Sequence, residues 1–170
     1  MLPSQFASVG ALRSGARDIA EEVLATYWPE GTFPIDPVVL ARRLSLEVYS
    51  AELGDDVFGM LVGDEGNSAV IYVDRDQPEK RMRFTVAHEI GHFLDRNARI
   101  DDDVAFVDRR SDEDRGAPDE VWANEVAGNL LMPVERVRTL LEEGKSELEM
   151  ATYFGVSLPA LRYRRQVLSL

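Results

Sequence analysis

The chain has 170 residues, of which 45% are hydrophobic, and it carries a formal net charge of −12 with no cysteine. This length suits one ordinary domain, and the lack of cysteine excludes a disulfide framework and any cysteine-ligated metal. The acidic balance argues against a nucleic-acid surface, and no apolar h-region or run of about 18 apolar residues occurs, so we expect a soluble cytoplasmic protein without membrane contact.

The N-terminal half predicts two helices followed by three strands. Apolar residues at helical spacing indicate a helix from about residue 11 to 28, and Asp36-Pro37 supplies the N-cap and first turn of a second. Three extended runs follow at 46–53, 57–62 and 68–73. We expect them to form a small three-stranded antiparallel sheet.

The next predicted helix, from about residue 78 to 95, contains the only two histidines of the chain, in His88-Glu89-Ile90-Gly91-His92. Positions i and i+4 project from one face of a helix, so His88 and His92 can hold one metal ion, and the ligand type favours zinc. Glu89 lies roughly 100° round the helix from His88, where it can reach a water on the open side of the metal. It is the candidate general base.

A glycine inside this helix predicts a close approach of another chain segment. Gly91 costs a helix interior roughly 1 kcal/mol relative to alanine. Its place beside the candidate ligands is explained most simply if another backbone packs against it.

The third metal ligand must be a carboxylate, because no other histidine or cysteine exists. Glu120 is the favoured candidate, since it shares one stripe of the next predicted helix, 119–131, with Asn124, which can hydrogen-bond a ligand histidine and fix its tautomer. The charged stretch 97–119 is predicted to be a loop, and its acids at 101–103 or 112–114 are competing ligands. Flexible loops hold metal geometry less well than helices.

Three further helices are predicted after residue 132: 133–142, then 146–154 with a capping box formed by Ser146 and Glu149, then 157–167 with Ser157 as N-cap. The last two have helix-turn-helix spacing, and the second carries arginines at 162, 164 and 165. A DNA-binding regulator is therefore an alternative interpretation. The acidic composition and Pro159 at the start of the last helix favour a packing element instead.

These motifs, taken in order, resemble the ImmA/IrrE family of zinc metallopeptidases. The resemblance rests on 83–92, on Glu120-Val121-Trp122-Ala123-Asn124 and on Leu130-Leu131-Met132-Pro133, and it covers roughly residues 15 to 140. The chain departs from the family pattern at 126–128, where Phe-Ala-Ala is typical, and at 95–96, where a further histidine is common. The departures affect packing rather than the proposed ligands.

The resemblance implies a gluzincin-like site, with zinc held by His88, His92 and Glu120 and with Glu89 as base. It also implies a substrate class, helix-turn-helix repressors of stress responses or mobile elements, cut to relieve repression. The alternative is a DNA-binding or non-proteolytic regulator with a structural or sensory metal. Tyr72 and Arg83 are the candidates for stabilising the oxyanion, and a substrate peptide is expected along strand 57–62 or 68–73 as an exposed edge.

The predicted fold is α+β, with the three-stranded sheet packed against a zincin-type HExxH helix and further helices. We divide the chain into a zincin-like metallopeptidase domain at 1–143 and a C-terminal helix-turn-helix-like extension at 144–170 that packs on it.

Overall fold

The computed structural model describes residues 8–54, 57–63, 69–97, 106–109 and 117–170. Seven helices and four strands within these ranges confirm the α+β class. In chain order they are α1 (Val9–Tyr27), α2 (Pro37–Arg43), β1 (Leu46–Ala51), β2 (Gly59–Gly63), β3 (Ala69–Asp74), α3 (Glu79–Asn97), β4 (Phe106–Arg109), α4 (Pro118–Leu131), α5 (Val134–Glu142), α6 (Glu147–Phe154) and α7 (Leu158–Leu168). Among these helices, none is both long and apolar enough to cross a membrane.

Side-chain caps fix where several helices begin. The Asp36 carboxylate accepts hydrogen bonds from two backbone N–H groups in the first turn of α2, at 2.9 and 3.2 Å. Ser146 and Glu149 form the predicted capping box of α6, and Ser157 caps α7. Such a cap is worth about 1 kcal/mol, because it satisfies a backbone donor that the first turn leaves unpaired. The predicted starts of these helices are confirmed.

The four strands form one mixed sheet in the order β1-β3-β2-β4. The prediction of three antiparallel strands is wrong in two respects. First, β3 inserts between β1 and β2 and runs parallel to β1, because two successive chain reversals restore the original direction. Second, the charged stretch predicted as a loop contributes β4, which pairs antiparallel with β2. An apolar run indicates a strand but does not specify its neighbour.

The order of the strands also corrects the predicted substrate edge. Both runs chosen for it, which became β2 and β3, lie in the interior of the sheet, and the outer strands are β1 and β4. The edge of β2 was predicted to be exposed because β4, which pairs with it, comes from the segment predicted as a loop.

One face of the sheet packs on α3. Leu61 of β2 and Ile71 of β3 are buried in the same hydrophobic cluster as Val86 and Ile90 of α3. Buried and partly exposed residues alternate along β3, so Tyr72 lies on the opposite face of the sheet. The core therefore fixes α3 against the sheet through the helix face that does not carry the histidines.

A second hydrophobic cluster joins α3 to the C-terminal helices. It contains Ala87 of α3, Ala127 of α4, Met150 and Phe154 of α6 and Leu161 of α7. Residues on both sides of the predicted boundary at 143 thus share one core. The division into two domains stays a prediction.

Candidate metal centre

The i, i+4 spacing brings the two histidine rings of α3 together. The Nε2 atoms of His88 and His92 lie 3.0 Å apart, and both side chains are buried. The ring planes cross at 76°, so both nitrogens face one point from different directions. A rigid helix therefore presents two imidazole ligands without any contribution from a loop.

Glu120, in the first turn of α4, completes this group. Its Oε1 lies 3.0 Å from His92 Nε2 and its Oε2 lies 3.5 Å from His88 Nε2. Metal–ligand bonds of about 2.0 to 2.2 Å in a tetrahedron place ligand atoms about 3.3 to 3.6 Å apart. The observed separations of 3.0, 3.0 and 3.5 Å are close to this range, so the three residues could hold a small divalent cation after a small adjustment, and they are the His/Asp/Glu cluster with metal-ligand spacing among the described residues.

The close approach of α4 to α3 depends on Gly91. A Cβ at this position would lie 2.8 Å from the Cα of Ala123 and 3.0 Å from its carbonyl oxygen. The predicted close backbone approach at Gly91 is confirmed. Since Ala123 is one turn beyond Glu120, this contact places the carboxylate beside the histidines.

Asn124 orients the first histidine. Its Oδ1 lies 3.1 Å from Nδ1 of His88. An amide oxygen only accepts hydrogen bonds, so this contact requires the proton to be on Nδ1 and leaves the lone pair of Nε2 directed at the cluster. The structure thus brings Asn124 to the position that the sequence suggested for it.

The neighbours of Glu120 favour the ionised form of its carboxyl group. Burial would raise the pKa of this carboxyl group, but hydrogen bonds and charge interactions with His88 and His92 outweigh burial. The net effect holds the pKa of Glu120 well below its usual range. This lowered pKa describes the metal-free cluster, in which ring protons face Glu120; a bound cation would replace those protons, and Glu120 is a carboxylate in both states.

Glu89 lies beside the cluster without belonging to it. It is 1% exposed and follows His88 on α3, and its Oε1 is directed towards β2 at Gly59. The side chain is therefore held between the helix and the sheet, next to the candidate metal ligands.

The model of the IrrE N-terminal-like domain (Peptidase_M78) matches residues 39–165, which is most of the chain. The chain belongs to this family. Its members are metal-dependent peptidases, so the ImmA/IrrE resemblance is confirmed and the chain is a metallopeptidase of this type. None of the curated proteins compared with the chain matches it.

The structure does not bring either candidate for oxyanion stabilisation to the cluster. Arg83 donates to the backbone carbonyls of Ile35, at 2.6 Å, and Gly155, at 3.1 Å, and so ties α3 to the start of α2 and the end of α6. Tyr72 lies on the far face of the sheet, with its ring 6.0 Å from that of Tyr49. In the described structure Arg83 therefore links three helices through hydrogen bonds, and Tyr72 packs beside Tyr49 on the outer face of the sheet.

The competing acidic ligands, at 101–103 and 112–114, lie outside the described residues. Glu120, within the described residues, has carboxylate oxygens 3.0 and 3.5 Å from the two ring nitrogens.

Sequence reasoning missed Gly59, where an added Cβ would meet both Thr85 and Glu89. A usable signal existed: a glycine inside a predicted strand marks a bulge or a close approach. Only the packing of β2 on α3 shows what approaches it.

Proposed function

We propose that this chain is a zinc-dependent metalloendopeptidase that cuts a helix-turn-helix transcriptional repressor in the cytoplasm and so relieves repression. The observation that carries the proposal is the convergence of His88, His92 and Glu120 within 3.0 to 3.5 Å of one another, with Glu89 adjacent. Two imidazoles and one carboxylate are a usual ligand set of catalytic zinc.

The chemistry divides between the ion and Glu89. Held by these three ligands, zinc would keep one coordination position open, lower the pKa of a water there to about 7 and polarise a peptide carbonyl. Glu89 accepts the proton of the attacking water and returns it to the leaving amine. Asn124 keeps His88 in the ligand tautomer. This division of roles predicts that Glu89 is needed for cleavage but not for metal binding.

Two features support a repressor as the substrate. The family resemblance implies this class of protein, in stress responses or mobile-element control. The net charge of −12 is complementary to the basic surface with which such a repressor contacts DNA, and opposite charges steer the two proteins together.

The decisive experiment incubates the zinc-loaded protein with the helix-turn-helix regulator encoded beside its gene and maps new termini by mass spectrometry. We expect a defined cut. Glu89→Gln should abolish it, because an amide of the same size cannot accept the proton, while zinc content stays the same. Glu79→Gln, exposed in the first turn of α3, is the matched control and should cut normally.

Either of two results would contradict the proposal. Unchanged cutting by Glu89→Gln would remove Glu89 as the base. A protein that holds zinc but cuts neither the regulator nor denatured casein would favour the alternative, a non-proteolytic protein with a sensory or structural metal.

The arginines of α7 do not support the DNA-binding alternative. Arg162 and Arg165 both pair with Glu147 of α6, at 2.8 and 3.1 Å, and Arg164 is 4% exposed. The guanidinium groups that would have to contact DNA phosphates are therefore already paired or buried within the chain. We expect no sequence-selective shift of DNA in a gel at physiological salt.

A further inference from the structure

We propose that Gly59 is a positioning residue for Glu89: its missing side chain leaves the space that the Glu89 carboxylate needs to face the attacking water. This inference rests on the proposed function and extends it to the strand that lies against the general base.

The requirement at Gly59 is spatial. A Cβ built there would lie 2.7 Å from Glu89 Oε1 and 2.4 Å from Cγ2 of Thr85, closer than real Cβ atoms approach their neighbours. The backbone of Gly59 does not have a positive φ, so any residue could adopt its conformation. An alanine at this position would therefore be opposed by its neighbours and not by its backbone conformation, and one of those neighbours would have to shift.

The strand cannot easily move away from Glu89. Gln77 donates to the carbonyl oxygen of Phe58 at 2.6 Å, and the Thr85 hydroxyl donates to Oε1 of Gln77 at 2.9 Å. Asp74 of β3 donates its backbone N–H to the same Phe58 carbonyl at 3.0 Å. These bonds fasten the start of β2 to α3 and β3 and fix the rotamer of Thr85.

The group that gives way is therefore the end of the Glu89 side chain. The far end of a flexible side chain shifts more easily than a backbone, and movement of β2 or rotation of Thr85 would also break the hydrogen bonds described above. A general base must lie about 2.6 to 3.2 Å from the proton that it takes. To reach an ordinary contact of 3.4 Å or more from the new methyl group, Oε1 has to move by at least 0.7 Å, which exceeds the width of that range.

The metal ligands are not touched by this change. None of the three atoms nearest to a Cβ at Gly59 belongs to His88, His92 or Glu120. The proposal therefore predicts a protein that binds metal and substrate normally but turns over slowly.

The test uses Gly59→Ala together with Gly59→Ala/Thr85→Ser. The serine keeps the hydroxyl that donates to Gln77 and removes the Cγ2 that would lie 2.4 Å from the new methyl group. In the double variant the clash with Thr85 is therefore gone, and only the clash with Glu89 remains. We expect the double variant to regain thermal stability relative to Gly59→Ala. Its kcat should stay about 100-fold below that of Thr85→Ser, with KM within about twofold.

Two readouts do not depend on turnover. Zinc stoichiometry should be one per chain in every variant, and a crystal structure of the zinc-loaded double variant should show the Glu89 carboxylate displaced. Gly10→Ala, whose Cβ would meet Ser8 Oγ at 3.8 Å and no other atom of the described residues within 4 Å, controls for replacing a glycine and should match the wild type.

The proposal is overturned if the double variant folds, holds zinc and retains the kcat of Thr85→Ser, or if its Glu89 carboxylate stays in place. A wild type that holds zinc but cuts no peptide would instead contradict the proposed function. In that case the crystal structure still decides whether Gly59 sets the position of Glu89.

Discussion

At the scale of single residues, the site depends on groups that hold the ligands as much as on the ligands. Asn124 sits one turn beyond Glu120 on α4 and bonds the ring nitrogen of His88 that faces away from the cluster. One helix thus carries both a candidate ligand and the group that contacts a second candidate ligand. Partners of this kind commonly contribute 10- to 100-fold to metal affinity.

We expect Asn124→Ala to lower zinc affinity by about 10- to 100-fold, because the His88 ring loses the acceptor that fixes its tautomer. A competitive titration against a chelator of known affinity measures the change. Asn124→Asp keeps an acceptor at the same place and should retain most of the affinity. Equal losses in both variants would show that the amide acts by packing.

At the scale of elements, the position of α4 decides whether a site exists. Gly91 allows α4 to approach α3 from one side. On the other side the Arg164 guanidinium of α7 donates to the carbonyl oxygen of Met132 at 3.2 Å and lies 3.6 Å from the Glu125 carboxylate. Burial lowers the pKa of Arg164 to about 10, and Glu125 opposes this shift. The C-terminal helix therefore fastens α4 through a buried ion pair.

Arg164→Met should destabilise the metal-free protein by about 3 kcal/mol, near the lower end for breaking a buried pair, because Arg13 still pairs with Glu125 at 2.9 Å. Urea unfolding measures the free energy. Arg165→Met, on the same helix, removes a partly exposed pair with Glu147 and should cost less than about 1 kcal/mol. Similar losses of unfolding free energy in the two variants would mean that the buried contact of Arg164 with α4 stabilises the protein no more than the partly exposed pair does.

At the scale of the whole molecule, two hydrophobic clusters meet along α3, one with the sheet and one with the C-terminal helices. The candidate metal ligands lie between α3 and α4, outside these clusters, so the core does not require an ion. An ion bound there adds stability only through its affinity for the folded state. The protein should therefore remain folded without metal.

Removing the metal with a chelator should leave the far-ultraviolet circular dichroism unchanged and lower Tm. Saturation at 100 times Kd adds about 2.7 kcal/mol, which corresponds to about 5 to 11 °C for a chain of this size. Re-addition of zinc should restore Tm in the wild type and have little effect on Glu120→Gln. Loss of helical signal on chelation would instead make the metal part of the fold.

The parts of the site whose residues are close together in the sequence could be predicted from the sequence alone. His88, Glu89 and His92 lie within five residues, and helical periodicity alone places the two rings on one face. The caps at Asp36, Ser146 and Ser157 are equally local and were predicted correctly. Gly91 predicted that another backbone lies close to α3, but it did not predict that this backbone belongs to α4.

Contacts between distant segments were decided by the tertiary structure. Sequence reasoning favoured Glu120 but kept acids of 97–119 as alternatives, and only the packing of α4 on α3 puts its oxygens 3.0 and 3.5 Å from the histidines. The order of the strands and the space that Gly59 leaves for Glu89 are likewise set by the packing of segments that are distant in the sequence. Local patterns follow from backbone geometry over a few residues, whereas convergence of separate elements follows from which buried faces fit together.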